Sequence, residues 1–392
     1  MASNALMLSA TNPSARAVWW GLVFLLVGLT GSRSAICGEP GFALALGDNW
    51  RVTPYVAPGY TPEMGGLLAA GGLFSFRTSM SDTVSQRSSV PLAVAYSTTG
   101  ALTVSAVLTS FWKEDRLRIP VDLWYKSMPD HYYGVGYDAG RYTAQSDTTT
   151  AYERTWFWFN PRFLIQISGP LYGGLDWDIN YTRADDPGPV MSTDPTFQAF
   201  GPEVFNHGIG LVIQYDSRDV PVNAWRGTYF SGRARFYGEA IGGDANYQIY
   251  DVDYRYYLPL RNLGGRTLAW QFRTRIGKGD VPWAELSQPG TPFDLRGYRW
   301  GRYRDKAMLY MLVEYRHMFG GGADPGPHGL VGWLGTGSIA PRGRDFEDWL
   351  PNLGVGYRLE VQARMNLRLD VGFAQEESGW QPAIYFNFNE AF

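Results

Sequence analysis

Hydrophobic and polar residues alternate with a period of two along most of the chain. Tyr250, Val252, Tyr254, Tyr256 and Leu258 share one parity, and Asp251, Asp253, Arg255 and Tyr257 share the other. Leu268, Trp270, Phe272, Thr274 and Ile276 stand against Thr267, Ala269, Gln271, Arg273 and Arg275. Leu175, Trp177, Ile179 and Tyr181 oppose Asp176, Asp178, Asn180 and Thr182, and Leu367, Leu369, Val371 and Phe373 oppose Asn366, Arg368, Asp370 and Gly372. Successive side chains of a strand point to opposite faces, so each segment predicts a strand with one oily and one polar face. About sixteen such segments follow from 50–60 to 380–392, including 101–112, 116–126 and 151–167. An even count suits a single-chain bacterial barrel.

A soluble sandwich also alternates, and two features separate it from a membrane barrel. Tyr and Trp sit at the ends of the oily faces, as an interfacial girdle does. The opposite faces carry charge on strand after strand, as a polar lumen does. With the first strand running outward, turns at 113–115, 168–170 and 261–265 fall on the inner side. The longer connections 127–149, 184–206 and 278–304 all fall outside, which matches the short-inner, long-outer rule. Closing the sheet also removes edges that would recruit other chains. The predicted fold is all-β: a transmembrane antiparallel barrel of about 16 strands, with long extracellular loops.

Composition narrows this further. Charged residues are 18% of the chain, below the roughly 25% of soluble domains, while aromatics reach 16%. Plentiful aromatics exclude disorder. A net charge of −3 excludes the basic excess of a nucleic-acid binder. Beyond the first 31 residues no apolar run is long enough for a spanning helix. Lysine occurs only at 113, 126, 278 and 306, so arginine supplies most of the cationic charge. That reflects either arginine–carboxylate pairing in a confined interior, where the planar fork binds two oxygens, or a GC-rich genome.

The start of the chain reads as an address. Arg16 precedes the apolar run Ala17–Leu29, and Ala35-Ile36-Cys37 offers small residues at the first and third positions of a cleavage site. We expect a signal peptide over 1–37, a short periplasmic segment over 38–49 and the barrel over 50–392. Cys37 is the single cysteine. Its lipidation, the alternative to cleavage after it, calls for a small residue where Ile36 stands. The expected location is the bacterial outer membrane, among its lipids and lipopolysaccharide.

One constellation carries more than fold. The connection 278–304 contains Phe293-Asp294-Leu295-Arg296-Gly297-Tyr298, and the next strand contains Glu314-Tyr315-Arg316. Tyr215-Asp216-Ser217-Arg218-Asp219 with Pro221 and Gly227, and Tyr132-Tyr133-Gly134-Val135-Gly136, add to it. So does the ending Tyr385-Phe386-Asn387-Phe388-Asn389-Glu390-Ala391-Phe392. Together these residues resemble the BamA/TamA superfamily, the bacterial surface antigen family of outer-membrane assembly and transport barrels. The match is good over 201–392 and loose before it.

The resemblance implies that the loop returns into the lumen with Arg296, Gly297 and Tyr298 at its tip and Glu314 as an inward-facing partner beside Arg316. Where the family has an Asp on the following strand, this chain has Gly335, so the clasp rests on Glu314 alone or draws in Asp370. Buried arginine needs a carboxylate in any case. Phe386, Phe388 and Phe392 would form the terminal signal that barrel-assembly machinery reads. The twelve residues 38–49 leave no room for the family's periplasmic POTRA domains, so a barrel-only relative is expected.

The implied function is to assist insertion or transport of client proteins, or lipids, with the first and last strands as a lateral seam. A porin-like conduit plugged by the loop and an accessory barrel serving another complex remain alternatives. No enzyme is expected, because neither a Gly-x-Ser-x-Gly elbow nor a phosphate-binding loop occurs. His131, His207, His317 and His328 lack ligand spacing, so no metal or other cofactor is expected. The acidic pairs Asp176/Asp178 and Asp251/Asp253 are expected to neutralise arginines such as Arg233, Arg235, Arg273 and Arg275 across the lumen.

Overall fold

Sixteen strands follow one another around a closed antiparallel sheet in the computed structural model, which describes residues 44–46, 49–260, 265–320, 325–362 and 364–392. The first eight are β1 (Trp50–Thr61), β2 (Gly65–Phe76), β3 (Ser88–Ser97), β4 (Leu102–Leu108), β5 (Val121–His131), β6 (Ala151–Ser168), β7 (Leu171–Asp185) and β8 (Glu203–Asp216). Then come β9 (Gly227–Tyr237), β10 (Tyr247–Pro259), β11 (Arg266–Gly279), β12 (Ala307–Met318), β13 (His328–Ala340), β14 (Leu350–Gln362), β15 (Met365–Glu376) and β16 (Gly379–Phe388). Each pairs with its sequence neighbours, and β16 meets β1. The expected signal peptide and most of the expected 38–49 segment lie outside the described residues; within that segment Leu44–Leu46 pairs with Trp50–Val52.

The two faces separate as the alternation predicts. Leu175, Ile209, Leu211, Ile213 and Leu334 lie open on the outer wall, while Asp176, Asp178, Asp251 and Glu314 are buried inside. The acids find the expected arginines. Asp176 and Asp178 lie 3.0 and 3.4 Å from Arg235. Asp251 bridges Arg233 and Arg273 at 2.9 and 3.1 Å, and Glu285 takes Arg275 at 2.8 Å. Asp176 and Asp178 on β7 reach Arg235 on β9 across β8, and Asp251 on β10 ties both of its neighbours, so these rungs brace the cylinder as well as neutralising it.

Three boundaries differ from the sequence reading. Segment 101–112 splits into β4 and a two-residue strand Phe111–Trp112, which pairs with Leu117–Arg118 in a small inner hairpin. Lys113, Glu114 and Asp115 all turn with positive φ there, and β5 begins only at Val121. Two inner connections are longer than the rule expects. In 77–87, Asp82 accepts from the Ser85 and Glu114 amides at 2.9 and 3.0 Å. In 217–226, Asp219 accepts from the Val220 and Trp225 amides and pairs with Arg364 at 2.9 Å. The last strand stops at Phe388 rather than running on. Asn389 adopts a φ of +62°, and Glu390-Ala391-Phe392 turn into the lumen.

Outer connections supply a cap. Short helices Tyr137–Tyr142 and Pro195–Phe200 belong to 132–150 and 186–202, and Asp194 caps the second by accepting from Thr196 N at 2.8 Å. Both connections pack on the long loop 280–306. Arg302 donates to Gly140 O at 2.9 Å, and Trp283 Nε1 to Gly201 O at 2.9 Å.

Candidate functional site

The loop 280–306 folds back into the barrel. Asp294 prepares its tip: the carboxylate accepts from the Gly290 and Thr291 amides at 2.8 and 2.7 Å and from the Thr291 hydroxyl at 2.8 Å. This side-chain-closed turn presents Arg296, which is fully buried. Burial raises the Asp294 carboxyl above its ordinary range, opposed by those same hydrogen bonds.

Arg296 is held on three sides. Its Nη1 lies 2.8 Å from Asp370 on β15, its Nη2 is bonded to Glu314 on β12, and its guanidinium carbon stands 3.6 Å from the centre of the Trp333 ring on β13. Two carboxylates and one aromatic face replace the water the cation gives up. The structure thus brings together Arg296, Glu314, Arg316 and Asp370. Gly335 leaves the acid's place on β13 empty; Trp333, two residues earlier on the inner parity, supplies the ring face, and Asp370 supplies the second carboxylate from β15.

The carboxylates are themselves shared. Glu314 also receives Arg316 at 2.9 Å, and Asp370 also receives Arg358 at 2.6 Å and Arg368 at 3.5 Å. Arg358 continues to Glu390 at 2.8 Å, and Arg316 donates to the Phe392 main-chain oxygen at 2.9 Å. The turned-in end of the chain is therefore part of the same network. Phe392 packs beneath the Arg316 guanidinium at 4.9 Å, whereas Phe386 and Phe388 remain on the strand, half-exposed.

The tip backbone is seated as closely as its side chain. Gly297 has a φ of +119°, and a Cβ there would lie 2.7 Å from Ala374 N. On the receiving strand, a Cβ at Gly372 would lie 2.5 Å from Arg296 O. Glycine on both sides lets two backbones touch. Asn352 donates to Arg296 O, the Gly297 amide donates to Tyr385 Oη at 2.9 Å, and Tyr298 Oη donates to Pro351 O at 2.9 Å.

Sequence reasoning did not assign Trp333, Asn352, Arg358, Tyr385 or Glu390 to this site. Their inner parity was a signal for the strand residues among them, but parity does not tell how deep in the lumen a residue sits. The Tyr132–Gly136 segment also joins the loop: Gly136 N donates to Arg304 O at 2.9 Å, and Arg304 stands 4.2 Å over the Tyr132 ring. Glu63, in the β1–β2 turn, accepts from Trp300 N at 3.1 Å.

The seam between the last and first strands is the second feature of the site. β16 and β1 register only at Phe386 and Tyr60, whereas β1 pairs with β2 from Arg51 to Thr61 and β16 with β15 from Gly379 to Phe388. Proline in a paired strand must turn its missing N–H away from the partner. Pro54 and Pro58 are paired with β2, and Pro382 with β15, so all three withhold donors from the free edges; on the register of Phe386 with Tyr60, Pro58 falls opposite the partner strand, at Phe388. Tyr60 and Phe386 share those parities.

A profile of the Omp85 superfamily domain matches residues 86–390. The chain belongs to the Omp85 superfamily. The resemblance drawn from the loop and Glu-x-Arg motifs thus stands, and an Omp85 barrel is a bacterial outer-membrane barrel. Among solved structures, BamA from Haemophilus ducreyi lacking POTRA domains 1–3 is 12% identical with a TM-score of 0.58, over 96% of this chain and 78% of that one. CdiB from Escherichia coli is 10% identical with a TM-score of 0.55, over 86% of this chain and 62% of that one. CdiB from Acinetobacter baumannii is 12% identical with a TM-score of 0.52, over 88% and 60%. The Omp85 chain described here therefore spans about three-fifths of the CdiB structures. At such identities the likeness is one of fold. No curated protein sequence matches the chain.

Proposed function

We propose that this Omp85 barrel assists the insertion or transport of client proteins or lipids at the outer membrane. The client engages the seam between β1 and β16, and the clasped loop keeps the lumen closed while the seam works. The observation that carries this reading is the seam itself: one register pair where neighbouring ladders run the length of the strand, with Pro58 on the facing edge. Each missing ladder bond withholds about 0.5–1.5 kcal/mol, so the seam is the cheapest place to open the cylinder. On the same reading, Phe386 and Phe388 serve as the terminal signal for barrel-assembly machinery, and Phe392 is drawn in once the barrel closes.

The experiment is a disulfide lock. Tyr60→Cys with Phe386→Cys, oxidised in reconstituted vesicles, is expected to abolish client insertion, and reduction is expected to restore it. Insertion that continues through the locked seam sinks the proposal. Steady conductance that rises when Arg296 is replaced by Ala, without client insertion, would instead identify a plugged conduit.

A further inference from the structure

At the outer end of β11 the lipid-facing wall is indented by a cavity of about 610 Å³, lined by Ile276, Lys278, Lys306, Pro341, Arg342 and Arg344 together with intervening glycines. Ile276 continues the outward row of Leu268, Trp270 and Phe272, and Lys278 is the next residue of that row. A Cβ on Gly343 would lie 2.6 Å from Ile276 Cδ1, so the 341–349 connection folds down onto this wall. With the long connections outside, the cavity opens where hydrocarbon gives way to the headgroups of the outer leaflet.

Its charge differs from that of the lumen. The lining holds four cations and no carboxylate. Two of the four lysines in the chain are here. Lys278 Nζ stands 5.1 Å from the centre of the Tyr250 ring, and Lys306 Nζ donates to Gly279 O at 3.0 Å, leaving both ammonium groups with donors to spare. Arg342 and Arg344 share Asp345 at 3.7 and 3.6 Å, with side chains 68% and 79% exposed, so solvent weakens those pairs. In the lumen, by contrast, Arg235 and Arg296 each meet two carboxylates.

An apolar floor with a cationic rim suits an amphiphile whose head carries clustered anionic oxygens. Compact ammonium charges bind phosphate as point charges, and forked guanidinium groups chelate its oxygens. We propose that this cavity binds the phosphorylated headgroup of an outer-leaflet glycolipid. Lys278 and Lys306 face the phosphate from the wall, Arg342 and Arg344 close over it, and the acyl chains run down the Ile276–Phe272 row. The shared chemistry with free phosphate is the anion; the apolar floor and the position at the bilayer favour the lipid.

The test uses the full chain in nanodiscs containing either diphosphorylated lipid A or its dephosphorylated form. Retained glycolipid is counted by native mass spectrometry after detergent extraction. Each cation near an anionic lipid layer contributes about 1 kcal/mol, so Lys278→Gln with Arg344→Gln should lower retention of the diphosphorylated lipid by about thirtyfold. The wild-type chain should retain far less of the dephosphorylated form, and Lys113→Gln, at the opposite end of the barrel, should change nothing. Equal retention of the two lipids, or undiminished retention by the double variant, overturns the proposal. Displacement by millimolar inorganic phosphate overturns it in favour of a small-anion site. Both substituted side chains are on the surface, and heat-modifiable gel mobility verifies that the variants fold; Lys278→Gln alone serves if the pair does not.

Discussion

The first four strands and β12–β15 line the same lumen with opposite chemistries. On β1–β4 the inner parity reads Thr53, Tyr55, Ala57 and Gly59, then Leu67, Ala69, Gly71 and Leu73, then Pro91, Ala93 and Ala95, then Thr103, Ser105 and Val107. These are small or apolar, half-exposed to the interior, and Arg51 at the inner end is the charged residue of that parity on these strands. On β12–β15 the inner parity carries Glu314, Arg316, Arg358, Arg368 and Asp370, all buried and joined. One wall is bound chiefly by backbone ladders, with Tyr55 Oη donating to Leu92 O at 3.3 Å, and the other is also bound by buried ion pairs that cross between strands and loop. A cylinder built this way is stiff on one side and compliant on the other, and the seam lies where the two meet.

The comparison is broken most severely at Asp370. Asp370→Ala removes the carboxylate shared by Arg296, Arg358 and Arg368 and leaves buried cations short of a partner, at a cost of about 3–5 kcal/mol. Urea unfolding in vesicles should read that loss, with the tip of the loop becoming open to protease. Next is Gly297→Ala, which sets a side chain against the Ala374 backbone at a positive φ and should cost about 1–3 kcal/mol, again by urea titration. If it is neutral, the tip is not seated on β15 as described.

The compliant side is sharpened by Pro58→Ala. Restoring one donor at the seam should add about 0.5–1.5 kcal/mol to β1–β16 pairing, seen as slower hydrogen exchange at Tyr60 and as reduced client insertion. Glu63 gives a shallower test. Burial raises its carboxyl above the ordinary value, so the folded state binds that proton more readily than the unfolded chain. This group therefore favours the fold more as pH falls through its raised value, and Glu63→Gln should flatten that part of the pH profile. Smallest of all, Ala93→Ser on the uncharged wall should stay within about 0.5 kcal/mol by the same titration.

Much of this was legible in the chain. The number and parity of strands, the long outer loop and the pairing of Asp176, Asp178 and Asp251 with arginines follow from alternation and from the cost of buried charge. Arg296 and Glu314 came from motif resemblance, and Asp370 from the empty acid position at Gly335. Depth was not legible. Trp333 and Asn352 share the inner parity with many residues, and only strand tilt and register bring these two to the height of the tip. The seam prolines were visible as residues, but their meaning depended on which strand each was paired with. The inward turn after Phe388 depends on Glu390 meeting Arg358, a contact between residues 32 apart that no local pattern announces.

The clasp on Arg296 is assembled from distant parts of the chain: Asp370 lies 74 residues downstream, and Tyr385, which receives the Gly297 amide, lies 88 downstream. Contacts of such separation form only after the intervening chain is ordered. A half-made barrel lacking its final hairpin has nowhere to seat the guanidinium, so the docked tip certifies that the closing strands have arrived.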